Sequence, residues 1–118
     1  MWMLDPALLC DSHLLGEHAE LHKHRPSFVR RRSIAGRVSP PVQIEPQAMQ
    51  RRHDELAGEM LRRGMRHQSP YEPPNLAYLP AEHRAARVDP AHSARDLALR
   101  CGLCRKRLSA VGLCPKDG

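Results

Sequence analysis

Between Pro46 and Arg63 the sequence commits itself to one kind of structure. Met49, His53, Leu56 and Met60 recur at three- and four-residue spacing, flanked by Ala57 and Leu61, and so fall in one sector of an α-helix. Pro46 suits the first helical position, Arg62 and Arg63 place cations in the last turn, and Gly64 can adopt the left-handed cap that stops the helix. A core-facing helix of this strength needs partners of its own kind. The chain supplies one Trp, one Phe and two Tyr, too few aromatics for a β-sandwich core, so its apolar interior has to come from Leu, Met, Val and Ala on packed helices.

A second helix is written into "HLLGEHAELHKH", residues 13–24. At about 100° per residue, Leu14, His18 and Leu21 form a stripe that Leu15 and His22 widen, and this side is expected to bury. His13, Glu17, Glu20 and His24 form a separate polar line. Asp11 and Ser12 are both N-cap residue types, and Pro26 is expected to interrupt or kink the helix. "SIAGRVSPPVQIEP" reads as a loop and "SPYEPPNLAYLP" as a surface connector, because their prolines rule out regular structure. "DPAHSARDLALRC" restarts a helical pattern, with Leu97 and Leu99 as its apolar contribution, and the tail beyond Cys104 has no clear period. The expectation is an all-α fold: one compact three-helix domain over 1–118, with a core over 1–72, a Pro-rich connector over 73–90, and a third helix and Cys-containing C-terminal tail over 91–118.

Nineteen Lys and Arg against thirteen Asp and Glu give a net charge of +6, and the basic residues come in clusters along the whole chain. Such a distribution predicts a polyanion partner. No apolar run reaches membrane-spanning length and "MWMLDPALLC" lacks the pattern of a signal peptide, so a cytoplasmic protein without a membrane partner is expected. In that compartment Cys10, Cys101, Cys104 and Cys114 would be reduced or metal-bound. "CGLC" has the spacing of a zinc knuckle, which Cys114 or Cys10 can complete, but a second CxxC is missing. Structural zinc and ordinary reduced thiols both stand as readings.

The histidines carry several chemistries. The i, i+4 pairs His13–Glu17 and Glu20–His24 can share a cation, or simply pair with each other on a hydrated face. His18 and His53 sit in or beside apolar stripes, where a hydrogen-bonded core histidine is the simple reading. "HAE" at 18–20 with the later CxxC formally matches a zinc deaminase, but Arg100 stands where that signature has proline, and His18 and Glu20 point to different sides of the helix.

Taken together, "HLLGEHAELHKH", "SIAGR", "RRHDELAGEMLRRGM" and "SP" resemble the pyrimidine-dimer DNA glycosylases of the phage endonuclease V type, especially their short bacterial and phage relatives. The resemblance covers residues 1–72. It implies a compact all-α enzyme that needs no cofactor, acts as a monomer on double-stranded DNA carrying ultraviolet lesions, and releases the damaged base with its N-terminal amine. Carried over by position, it implies a catalytic set of Met1 as nucleophile, Glu20 as the catalytic glutamate and His13 at the start of the same helix, with Lys23 in place of a phosphate-contacting residue. The chemistry is coherent, because an α-amine titrates roughly two to three units below a lysine ammonium and is more readily available as the neutral nucleophile. Strand cleavage by lyase action can follow base release. Arg25, Arg30, Arg31, Arg51, Arg62 and Arg63 complete the candidate DNA-binding set. Two positions depart from the family: Ala19 stands where an arginine is usual, and Trp2 where the residue after the initiator is small. A non-catalytic DNA-binding protein of the same fold is the principal alternative, and a zinc-dependent deaminase a lesser one.

Overall fold

The computed structural model describes residues 1–67 and 69–113; Cys114, one of the four candidate zinc ligands, lies outside them. The described residues contain helices and irregular segments and no strand. A short 3-10 turn at Pro6–Leu8 leads into α1, Asp11–Val29. A single turn, α2, covers Ala35–Val38, and a 3-10 turn at Pro46–Ala48 runs into α3, Met49–Arg62. Another single turn, α4 at Ala81–Arg84, precedes α5, Pro90–Arg100, and α6, Gly102–Ala110.

The all-α expectation holds, with six helices among the described residues in place of three; α3 buries its predicted sector but begins at Met49 rather than Pro46 and leaves Leu61 exposed. Met49, His53, Leu56, Ala57 and Met60 are buried, and Gly64 takes φ +78° just past the helix end. At α5, Asp89 caps the Ala91 N–H with Pro90 in the first position. Other expectations need correction. The helix of residues 13–24 does not break at Pro26 but runs on to Val29, giving up only the one bond a proline nitrogen cannot donate. Leu15 is 44% exposed, whereas Glu17 and His24 on the polar line are buried. That line is met by Arg52 of α3 at Glu17, by the Met1 amine at Glu20 and by Cys104 of α6 at His13. In α5, Leu97 is fully buried but Leu99 is 84% exposed, since the two residues are about 200° apart on the helix. The stretch after Cys104, which shows no period, is helical as far as Ala110 in α6, whose buried residues are Cys104 and Leu108.

The interior joins Leu4, Leu8 and Leu9 of the N-terminal segment to Leu14, Leu21 and Phe28 of α1, Leu56 and Met60 of α3, and Leu97 and Leu108 of the C-terminal pair. Crossing it is a buried ion pair. Arg52 Nε and Nη2 donate to the two oxygens of Glu17 at 2.6 and 2.9 Å, and Nη1 donates to the Leu4 carbonyl. α1, α3 and the N-terminal segment are thereby fixed to one guanidinium.

Candidate active site and metal clusters

The N-terminal segment ends inside the protein. The Met1 side chain is buried and its sulfur accepts the Glu45 N–H. The amine donates to Glu20 Oε1 at 3.0 Å and to the Gln43 carbonyl at 2.8 Å. His24 Nε2, one turn along α1, lies 3.4 Å from the same Glu20 oxygen. Burial by itself would raise the Glu20 carboxyl; the His24 hydrogen bond, together with the charge and hydrogen bond of the amine, outweighs it and holds the group at about 2. Glu20 is therefore a carboxylate at neutral pH, in contact with an amine.

The pair opens onto a cleft of about 600 Å³, whose walls include Trp2, Gln43, Ser93 and Arg100 besides Met1 and Glu20. That volume is within the usual range for a small-ligand pocket. Arg100 Nε is 2.9 Å from Asp96, which also borders the cleft. Sequence reasoning reached Met1 and Glu20 but not the α5 wall, because residues some eighty positions away carry no local signal of where they dock.

His13 faces thiols. Its Nδ1 is 3.2 Å from Cys10 Sγ and 3.5 Å from Cys104 Sγ, and Cys10 Sγ is 3.8 Å from Cys101 Sγ. The four ligand atoms all lie within 4.8 Å of one another. The backbone supports the sulfurs: Cys104 N–H donates to Cys101 Sγ at 3.4 Å and Cys10 N–H to Cys104 Sγ at 3.3 Å. Burial pushes the Cys104 thiol up to about 12, while the backbone N–H of Cys104 lowers that of Cys101. The fourth member of the set is a histidine at the start of α1, which sequence spacing could not connect to a knuckle some ninety residues later.

The basic candidates are dispersed. Lys23, Arg30 and Arg31 are exposed on α1 or just beyond it. Arg25 donates to the Glu72 carbonyl at 2.7 Å, Arg51 lies 3.5 Å from Glu55 and Arg62 3.2 Å from Glu59. Arg63 is engaged on every side, by Glu59 at 2.8 Å, Asp11 at 2.9 Å and the carbonyls of Pro6 and Leu9. A second cluster gathers His18, His22, His53 and His67. Burial and the neighbouring histidines lower His18 to about 4.

A family profile described as pyrimidine dimer DNA glycosylase matches residues 1–73, more than half of the chain. The chain belongs to the pyrimidine dimer DNA glycosylase family. The matched region contains Met1, Glu20 and all of α3, whereas the α5 wall and the Cys101–Cys104 knuckle lie beyond it. Comparisons with curated proteins and with solved structures returned no match. No helix among the described residues is long and apolar enough to cross a membrane.

Proposed function

We infer that the protein is a DNA glycosylase that releases dimerised pyrimidines from ultraviolet-damaged duplex DNA, with the Met1 amine as nucleophile. The observation that carries this reading is the 3.0 Å contact between the amine and Glu20 at the mouth of the cleft, in a chain of this family. In this reading the ammonium gives up a proton to solvent, and Glu20, a carboxylate throughout, holds the amine at the cleft. The freed nitrogen lone pair attacks C1′ of the deoxyribose, and the C1′–N bond breaks with its electron pair leaving on the base, which is protonated. Loss of the second amine proton and opening of the sugar ring give a Schiff base, protonated as an iminium, whose positive charge the Glu20 carboxylate stabilises. Removal of a C2′ proton would then expel the 3′ phosphate, and water would release the amine: this is the lyase step. The target nucleotide has to leave the helical stack to reach C1′, and the cleft offers room for an extruded nucleotide beside Arg100. Lys23, one turn beyond Glu20 and exposed, is a candidate phosphate contact, with Arg25, Arg30, Arg31, Arg51 and Arg62 on the wider surface; Arg63 is committed to intramolecular partners.

His13 is assigned to metal binding rather than catalysis. With Cys10, Cys101 and Cys104 it forms a Cys3His set suited to structural zinc, in which about 3.8 Å between sulfurs follows from Zn–S bonds near 2.3 Å in a tetrahedron. Zinc there would bind α6 to the start of α1, behind the N-terminal segment. The deaminase alternative finds no support, because the CxxC meets His13 and not His18.

Glu20→Gln tests the catalytic reading. It should lower cleavage of a dimer-containing duplex by at least about a hundredfold, with duplex affinity retained. Undiminished cleavage refutes the role of Glu20, and a wild-type chain that binds damaged duplex without cutting it would make this a non-catalytic DNA-binding protein of the same fold.

A further inference from the structure

On the side of α1 away from the cleft, four imidazoles meet. His18 and His22 are four residues apart and share a face, while Glu20, two residues from each, projects the other way. His53 comes from α3 and His67 from the segment after it. His18 Nε2 is 3.1 Å and His67 Nε2 3.2 Å from the same atom, His53 Nε2. The ligand atoms of these three residues all lie within 4.8 Å of one another. The Ser69 carbonyl oxygen is 2.9 Å from His53 Nε2. The His22 ring stands edge-on at 4.9 Å from His18 and 5.0 Å from His53, and its Nε2 is buried without a hydrogen-bond partner.

No neutral tautomer of His53 satisfies all of its neighbours. A neutral imidazole has one N–H and one lone pair. His53 Nδ1 is 3.0 Å from Asp54 Oδ1, which accepts its proton and leaves a lone pair on Nε2. That lone pair then faces the Ser69 oxygen, which can only accept. If His53 Nε2 instead carries a proton, the proton serves one of three neighbours and leaves the other two without a partner on His53. A cation would accept electron density from all of them. Zn–N bonds of about 2.0–2.1 Å in a tetrahedron put neighbouring nitrogens about 3.3–3.4 Å apart, close to the spacing found here.

We propose that His18, His53 and His67 bind a divalent transition metal of the zinc class through their Nε2 atoms, with the Ser69 carbonyl beside them as a further donor. Imidazole suits this class of ion, and the His53–Asp54 contact is the outer support that commonly orients a ligating ring. The site is independent of the catalytic reading and of the Cys3His set. It ties His67 and Ser69 to both long helices, and nearby Glu72 is held to α1 by Arg25 on its carbonyl.

Zinc content per chain tests the proposal, measured on untagged protein stripped with chelator and dialysed against buffered free zinc. Cys101→Ser breaks the thiol set, so this chain should retain one zinc, and Cys101→Ser/His67→Ala should hold none. In the otherwise wild-type chain, His67→Ala and His18→Gln should each lower the content by one equivalent. The last two variants keep the fold test separate, since helicity by circular dichroism should persist at a loop position and at a half-buried one. Zinc content unchanged by His67→Ala and His18→Gln, or an absence of zinc in both the wild-type and Cys101→Ser chains, overturns the proposal.

Discussion

Replacing Arg52 with Met should damage the protein twice over. Glu17 and Arg52 are each about 1% exposed, and the pair shares two hydrogen bonds while Arg52 also serves the Leu4 carbonyl. Removing one partner strands the Glu17 carboxylate in the interior, at a cost of about 3–5 kcal/mol. At roughly 0.05–0.15 kcal/mol per residue a chain of 118 residues has about 6–18 kcal/mol in all, so the loss is a large share of it. For a domain of this size it corresponds to a fall in Tm of about 10–20 °C. Glu17→Leu/Arg52→Met should recover most of that, leaving about 1–3 kcal/mol for the Leu4 carbonyl without its donor. Leu4 is three residues from the Met1 amine, so if that amine is the nucleophile, activity below Tm should fall in the single variant as the N-terminal segment loosens, with less change in DNA affinity. Thermal and urea unfolding of the two variants and the wild type decide it. A single variant within about 3 °C of wild type, or a double variant no better than the single, refutes the claim that this pair is buried and holds the segment.

Three further outcomes follow from particular side chains. Leu97→Ala should cost about 2–5 kcal/mol in denaturant unfolding, while Leu99→Ala, two residues on and exposed, should stay within about 0.5 kcal/mol of wild type. Gly64→Ala should destabilise by about 1 kcal/mol, since φ +78° is a left-handed conformation that alanine resists. In duplex binding, Lys23→Ala should reduce the slope of log K against log salt by about 1, whereas an unchanged slope would remove Lys23 from the phosphate contacts.

The local physics of the chain was legible in its sequence where one element decides the outcome. The buried sector of α3 follows from Met49, His53, Leu56 and Met60, its end from Gly64, and the start of α5 from Asp89 and Pro90. Glu20 and Met1 were reached by resemblance, and the structure puts them in contact. What could not be read depends on tertiary partners. The polar line of α1 looked like a solvated face because nothing local to Glu17 announces Arg52, thirty-five residues away. His13 enters the catalytic set by resemblance alone, and nothing local to it announces Cys101 and Cys104, which come from the other end of the chain. For the same reason Arg63 read as a free cation: its partners at Asp11, Pro6 and Leu9 are brought to it only by folding. α6 escaped notice because only Cys104 and Leu108, four residues apart, mark its buried face.

The central claim is that the chain's own amine attacks DNA. The most direct measurement is reductive trapping: untagged protein incubated with a duplex carrying one thymine dimer, reduced with borohydride, and the adduct mapped by peptide mass spectrometry. The account predicts a covalent protein–DNA adduct on the Met1 nitrogen, absent when residues are added before Met1. An adduct on a lysine, or damaged duplex bound and no adduct formed, would contradict it.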